Sequence, residues 1–215
     1  MKKKISILLS MLALSCQSKD KVQDLPHLKL NKPMEIQDKL EVATFAGGCF
    51  WCTEAVFLEL EGVKTVTSGY IGGKTINPTY KDICNGDTGH AEAIQITFDP
   101  SKISFGELLE VFFATHDPTT LNRQGNDSGT QYRSEIFYHN ENQKKTSEDY
   151  IALLTKENTF GKPIVTVISG ATKFYEAEEY HQNYYNQNKS QGYCSYVITP
   201  KVDKVRKLFK DKLKK

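Results

Sequence analysis

A chain of 215 residues, 39% hydrophobic and 25% charged, has the make-up of an ordinary globular domain and the length for one domain plus a tail. Its formal charge of +2 gives no case for a nucleic-acid surface, since 28 Lys and Arg are offset by 26 Asp and Glu and many lysines gather at the two ends. Five cysteines, at positions 16, 49, 52, 84 and 194, are an odd number that fits no disulfide framework, so they read as separate tasks.

Residues 1–15 read as a signal peptide. Lys2, Lys3 and Lys4 form a positive start, and the apolar run 5–14 is too short to span a bilayer. The run ends in Ala13-Leu14-Ser15-Cys16, small residues before a cysteine. This resembles a bacterial lipoprotein cleavage site, with Cys16 as the expected lipidated N-terminus. It departs from that pattern at Ala13, where Leu is usual; an ordinary secretory signal and an uncleaved anchor are the alternatives. Residues 16–40 are polar, contain Pro26 and Pro33, and read as a lipidated tether. The expected location is the bacterial cell envelope, on the periplasmic side or at the outer membrane.

Residues 41–46 read as the first strand and 49–61 as the first helix, with Val56, Phe57 and Leu60 on one face and Gly62 closing it. A second strand is expected over 63–70. A loop follows, and then Thr79 caps a short helix to Cys84. Over 90–98, Glu92, Ile94, Ile96 and Phe98 alternate with Ala91, Ala93, Gln95 and Thr97, a strand with a carboxylate on its apolar face. Ser104 caps the next helix, and 117–131 is a long polar loop of the kind that often carries function. A strand at 132–139, an amphipathic helix at 141–158, a strand at 163–169 and an aromatic helical stretch at 174–185 follow. Residues 191–194 read as a loop. Residues 201–214 form a basic helix with Val202, Val205, Leu208, Phe209 and Leu213 on one face. That helix is expected to pack on the domain; contact with anionic lipid is the sharper alternative. Strands separated by helices predict an α/β (α+β) fold, a two-layer sandwich with a central mixed β-sheet and flanking helices.

The chemistry concentrates at Gly47-Gly48-Cys49-Phe50-Trp51-Cys52, where a strand turns through two glycines into a helix and the only Trp sits between two thiols. A helix N-terminus favours a thiolate, which makes Cys49 a candidate nucleophile. A zinc site lacks a second ligand pair, so no metal is expected. A disulfide closed across two residues would constrain almost no chain entropy. A thioredoxin-like dithiol fits the spacing, but its cysteines usually flank a small residue or Pro rather than Phe-Trp. Cys84 reads as a buried structural thiol.

The wider pattern is more specific. Gly47-Gly48-Cys49-Phe50-Trp51, Asn77-Pro78-Thr79-Tyr80, Thr88-Gly89-His90-Ala91-Glu92, Asp127-Ser128-Gly129-Thr130-Gln131-Tyr132-Arg133-Ser134, Tyr180-His181-Gln182 and Gly192-Tyr193-Cys194 together resemble, in order, the peptide-methionine (S)-S-oxide reductase (MsrA) family. The resemblance covers about residues 41–195, within an expected reductase domain at 41–198 followed by the basic C-terminal helix at 199–215. It implies that Cys49 attacks the sulfoxide sulfur, that Glu92 donates a proton to the oxygen and that Tyr80 and Tyr132 hydrogen-bond it. Phe50 and Trp51 form the methyl pocket, and Asp127, His181 and Tyr184 contact the substrate. It also implies a Cys49 sulfenic acid resolved by Cys194, with Cys52 as the alternative resolver or both acting in sequence. The common Asn-Pro is missing from Asn188-Lys189-Ser190-Gln191. No bound cofactor is implied; electrons come from thioredoxin or a similar dithiol. Oxidised proteins and free methionine S-sulfoxide are the implied substrates of a monomer that meets the membrane only through its lipid. A general thiol–disulfide oxidoreductase using Cys49 and Cys52, and a peptide-binding envelope lipoprotein, are the competing readings.

Overall fold

The computed structural model describes residues 25–26 and 39–215; the expected signal peptide, Cys16 and most of the tether lie outside the described residues. At the centre is β1 (Glu41–Gly47), which pairs antiparallel with β3 (Ala91–Phe98) on one side and with β6 (Ser134–Tyr138) on the other. β2 (Val63–Ile71) adds antiparallel to β3, and a two-residue strand β8 (Tyr175–Glu176) closes that edge. β7 (Val167–Gly170) runs parallel to β6, so the sheet is mixed, in the order β7-β6-β1-β3-β2-β8.

The alternation in these strands decides which face carries the helices. Ala43 and Phe45 of β1, Ile94, Ile96 and Phe98 of β3 and Ile136 of β6 all point to one side. There they meet Val56 and Phe57 of α1 (Phe50–Leu58), Leu108, Leu109, Phe112 and Phe113 of α3 (Phe105–Thr115), and Tyr150 and Leu154 of α4 (Glu141–Lys156). Phe45 stacks on Phe112 with ring centroids 5.0 Å apart. Each fully buried phenylalanine contributes about 1.5–3 kcal/mol from burial alone. The other face carries Ala46, Ile71, Ala91, Ala93 and Phe137, with Ala171 and Phe174 packed over them. Glu92 shares the parity of Ile94 and Ile96, so it lies on the helix side.

Several boundaries differ from the sequence expectation. α1 stops at Leu58, because Leu60 leaves the helix to bridge Leu213. The loop 117–131 holds a small hairpin, β4 (Arg123–Gln124) against β5 (Asp127–Ser128). Tyr132 ends a 3₁₀ turn, so the strand expected from 132 starts at Ser134. The strand expected at 163–169 begins only at Val167, where it meets Glu135 in parallel register.

The aromatic stretch 174–185 is not a helix. Its polar side chains bond to other elements, Gln182 to Ser68 N, Ser68 O and Ala177 O, and Asn183 takes a left-handed backbone at φ 50°. A 3₁₀ turn at Glu179–His181 and the short α5 (Tyr184–Gln187) follow from this. The C-terminal helix α6 spans Thr199–Leu208 rather than 201–214, with Val202 and Val205 buried against the domain. Its N-terminal side is continuous with a π-helical turn, Cys194–Ile198, so Cys194 is not in a loop. Of the tether, Leu25 is described and packs against the core.

Candidate active site

The site is built where β1 hands over to α1. Gly48 takes φ +93°, a left-handed conformation, and a Cβ there would stand 2.3 Å from Gln124 Cγ, so the turn needs glycine twice over. Cys49 is then the N-cap of α1, and its carbonyl accepts from Cys52 N at 3.1 Å. The side chain makes no cap hydrogen bond, which leaves Cys49 Sγ to the pocket and exposes the first backbone N–H groups of the helix. Phe50 N–H donates to Glu92 Oε2 at 3.1 Å. One carboxylate from the neighbouring sheet therefore caps the nucleophile's helix and stands beside the nucleophile.

Glu92 is 2% exposed. Burial pushes its pKa up to about 8, the Phe50 N–H pulls it back and the Asp127 charge adds to the rise. It is therefore mostly protonated at neutral pH, as the proton-donor role implied by the family resemblance requires. The Tyr80 and Tyr132 hydroxyls are both raised by burial first and then by the Glu92 charge, so both stay phenolic donors. Tyr80 arrives on α2 (Tyr80–Asn85), whose N-cap Thr79 closes a reciprocal capping box with Asp82. Glu178 fixes that helix start by accepting from Tyr80 N at 2.8 Å and from the Tyr70 hydroxyl at 2.9 Å.

Cys49, Phe50, Trp51, Tyr80, Glu92, Asp127, Tyr132 and Tyr193 line one cavity of about 160 Å³. His181 and Tyr184 do not line it; they back its aromatic wall. Trp51 Nε1–H donates to His181 Nδ1 at 3.1 Å, and Tyr184 stacks on Trp51 with centroids 3.8 Å apart at 8°. His181 is 1% exposed and packs on Phe50 and Tyr80. It lies in a 3₁₀ turn behind the wall and not on the pocket surface that a substrate contact needs.

The thiols correct two expectations. The helix N-terminus was expected to favour a Cys49 thiolate, yet burial raises the Cys49 thiol, with Cys52 and Glu92 adding to the rise. The hydrogen bond from Cys49 lowers Cys52 to about 7 against the opposing effect of burial, with Lys201 assisting. Two thiols in hydrogen-bond contact lose one proton readily and the second with difficulty. Cys194 is fully buried in the same apolar cluster as Cys49, Cys52 and Tyr185, and its thiol is raised by burial and by the Cys52 charge. Cys84, read as a buried structural thiol, is exposed on the last turn of α2, one turn from Tyr80.

Two residues of the site escaped the sequence reading. Tyr193 donates its hydroxyl to Asp127 Oδ2 at 2.7 Å and lies 3.8 Å from Cys52 Sγ. Its place beside a singled-out cysteine was the available signal. Glu54 is a carboxylate 1% exposed on α1, and a charge inside a helix that otherwise buries Phe50, Cys52, Ala55, Val56 and Phe57 marked it.

This pocket offers a soft sulfur and a proton to one small polar group while an aromatic wall takes the apolar part beside it. That is the equipment of a thiol-dependent oxidoreductase. Residues 41–213 match the peptide methionine sulfoxide reductase family. The chain is 59% identical over 174 residues to the peptide methionine sulfoxide reductase MsrA of Deinococcus radiodurans, covering 81% of this chain and 84% of that one. It is 60% identical to MsrA 1 of Rhodopirellula baltica, over 81% of this chain and 90% of the relative. Among solved structures it is similar to reduced Mxr1 of Saccharomyces cerevisiae, with a TM-score of 0.67 and 34% identity over 80% of this chain and 96% of that one. It is also similar to methionine sulfoxide reductase A of Corynebacterium diphtheriae, with a TM-score of 0.64 and 34% identity over 80% of this chain and 84% of that one. The chain belongs to the peptide methionine sulfoxide reductase family.

Proposed function

We propose that this protein reduces methionine S-sulfoxide, in proteins and as the free amino acid, to methionine. The observation that carries the reading is the Phe50 N–H to Glu92 Oε2 bond at 3.1 Å, which leaves the other carboxyl oxygen to hold its proton toward the Cys49 pocket. The sulfoxide oxygen sits among Glu92, Tyr80 and Tyr132, and the methyl lies against Phe50 and Trp51. The pair's negative charge reaches Cys49 when its thiol proton passes to Cys52. Cys49 then attacks the sulfur as Glu92 protonates the oxygen. Electrostatic and hydrogen-bond stabilisation by the two phenols acts on the developing O–H group. The oxygen leaves on Cys49 as sulfenic acid, and methionine departs with the electron pair.

Cys52, one helical turn away and already hydrogen-bonded to Cys49, condenses with the sulfenic acid to give a Cys49–Cys52 disulfide and water. Cys194 then attacks the Cys52 sulfur, forms Cys52–Cys194 and releases the Cys49 thiolate. Cys52 is the neighbour whose charge raises the Cys194 thiol, which supports this order over direct resolution by Cys194. Thioredoxin or a similar dithiol reduces the second disulfide. We place the protein in the bacterial envelope as a monomer anchored through lipid on Cys16, where oxidants arrive first. Support for that location comes from residues 1–16 alone, and among the described residues no helix is long and apolar enough to cross a membrane.

The test is single-turnover reduction of separated S and R methionine sulfoxide by the fully reduced protein. One equivalent of methionine from the S epimer alone is expected. Turnover of neither epimer, with reduction of a disulfide substrate, would overturn the reading in favour of a general oxidoreductase.

A further inference from the structure

Glu54 has no place in the chemistry above, yet it is a carboxylate 1% exposed in the helix that carries Cys49. Burying such a group costs several kcal/mol unless its oxygens are well bonded. Both are: Oε1 accepts from Asn183 N at 2.8 Å and Oε2 from Tyr184 N at 3.3 Å. Asn183 holds φ 50°, a left-handed turn that Asn tolerates and that presents these two successive N–H groups to Glu54. The next ring along, Tyr184, is the one stacked at 3.8 Å on Trp51. Trp51 lies three residues before Glu54 on α1, on the same side of the helix.

We propose that Glu54 is a positioning residue that clamps the Tyr184 segment to the nucleophile helix and so sets the Trp51 wall of the pocket. Gln182 ties the segment to Ser68, and Glu178 ties it to Tyr80 N and the Tyr70 hydroxyl, bonds that lead to β2 and α2. Glu54 fastens the segment's backbone to α1, beside the side-chain bond from Trp51 to His181. Without Glu54 the Tyr184 ring is tied to α1 only by ring contact with Trp51 and by the Trp51–His181 bond, while its hydroxyl stays bonded to Gln191, outside α1. The clamp touches no reacting atom. Its effect is on how tightly a substrate is gripped against the wall, more than on the rate once it is bound.

This inference rests on the proposed sulfoxide reduction, but its first readout does not. Trp51 is the only tryptophan, so acrylamide quenching of the substrate-free full chain reports on the wall directly. In Glu54→Gln one acceptor becomes an NH₂ donor that cannot accept from Tyr184 N, and in Glu54→Asp the side chain is one methylene short. Both are expected to raise the quenching constant about twofold and the half-saturating concentration of a methionine-S-sulfoxide peptide about tenfold, the size of one lost hydrogen bond. The saturating single-turnover rate is expected to stay within about threefold. Tyr184→Ala, on a half-buried side chain, is expected to give the same two changes, and the Glu54→Gln/Tyr184→Ala double variant to add little to either single one. Additive effects in that cycle, or a Glu54→Gln variant with wild-type quenching and half-saturation, would overturn the proposal. Absence of any sulfoxide turnover in the wild type would instead remove the catalytic reading and leave the quenching cycle to decide the clamp.

Discussion

Replacing Glu92 by Gln separates the acid from its shape. Gln keeps an oxygen to accept from Phe50 N–H, so the cap on α1 survives, but it has no proton to give. An ordinary glutamate with pKa 4.5 is about 0.3% protonated at pH 7, whereas one raised to about 8 is about 90% protonated, a gain of about 300-fold in competent acid. The same shift has a consequence for stability. Below about pH 4.5 the carboxyl is protonated folded and unfolded alike, and there is no cost. As pH rises toward 8 the unfolded chain releases that proton while the folded one keeps it, so stability falls, by as much as about 5 kcal/mol for a shift of this size. Glu92→Gln is therefore expected to unfold at a higher temperature than wild type at pH 8, with the gain vanishing near pH 4. In stopped-flow single turnover, wild-type sulfoxide reduction is expected to rise as the Cys49–Cys52 pair ionises near 7 and to fall above about 8 as Glu92 loses its proton. Glu92→Gln is expected to be slower by about 10²–10⁴-fold and to lack the descending limb. A variant within threefold of wild type, or one that keeps that limb, would refute Glu92 as the proton donor.

Other consequences are as concrete. Cys194→Ser is expected to stop after one turnover with a Cys49–Cys52 disulfide, seen by peptide mapping, while Cys52→Ser is expected to accumulate Cys49 sulfenic acid for longer. Accumulation of Cys49–Cys194 in wild type before any Cys49–Cys52 species would reverse the proposed order. Gly48→Ala places a Cβ 2.3 Å from Gln124 Cγ at a left-handed φ, and is expected to lower stability by about 1–3 kcal/mol in thermal unfolding. Lys201→Met removes a charge that helps lower Cys52, so iodoacetamide trapping across pH is expected to show its thiol pKa rising above 7; an unchanged profile would show that the hydrogen bonds from Cys49 and Tyr193 suffice without it.

Alternation and capping made much of the scaffold legible. The strand at 90–98 revealed which face Glu92 shares, and Thr79 and Ser104 cap the helices their spacing indicated. The stretch 174–185 misled because its aromatic spacing is helical while its path is set by long-range bonds from Gln182, Glu178 and Glu54. No local pattern encodes such partners. The same limit applied to the thiols. Cys49 was identified by its glycine turn, but its ionisation depends on burial and on Cys52 in three dimensions, which the helix-terminus rule alone does not contain. Cys194 followed a glycine and a tyrosine, which read as loop, yet it opens a π-helical turn running into α6, whose Val202 and Val205 are buried.

The central claim is that Cys49 takes the oxygen of a methionine S-sulfoxide. It is tested most directly with a Cys52→Ser/Cys194→Ser variant, in which no neighbour removes the product. Reaction with one equivalent of the S-sulfoxide, followed by dimedone trapping and mass spectrometry, is predicted to yield one equivalent of methionine and the adduct on Cys49 alone. Methionine formed with no adduct on Cys49, or an adduct on Cys84 in its place, would contradict the account.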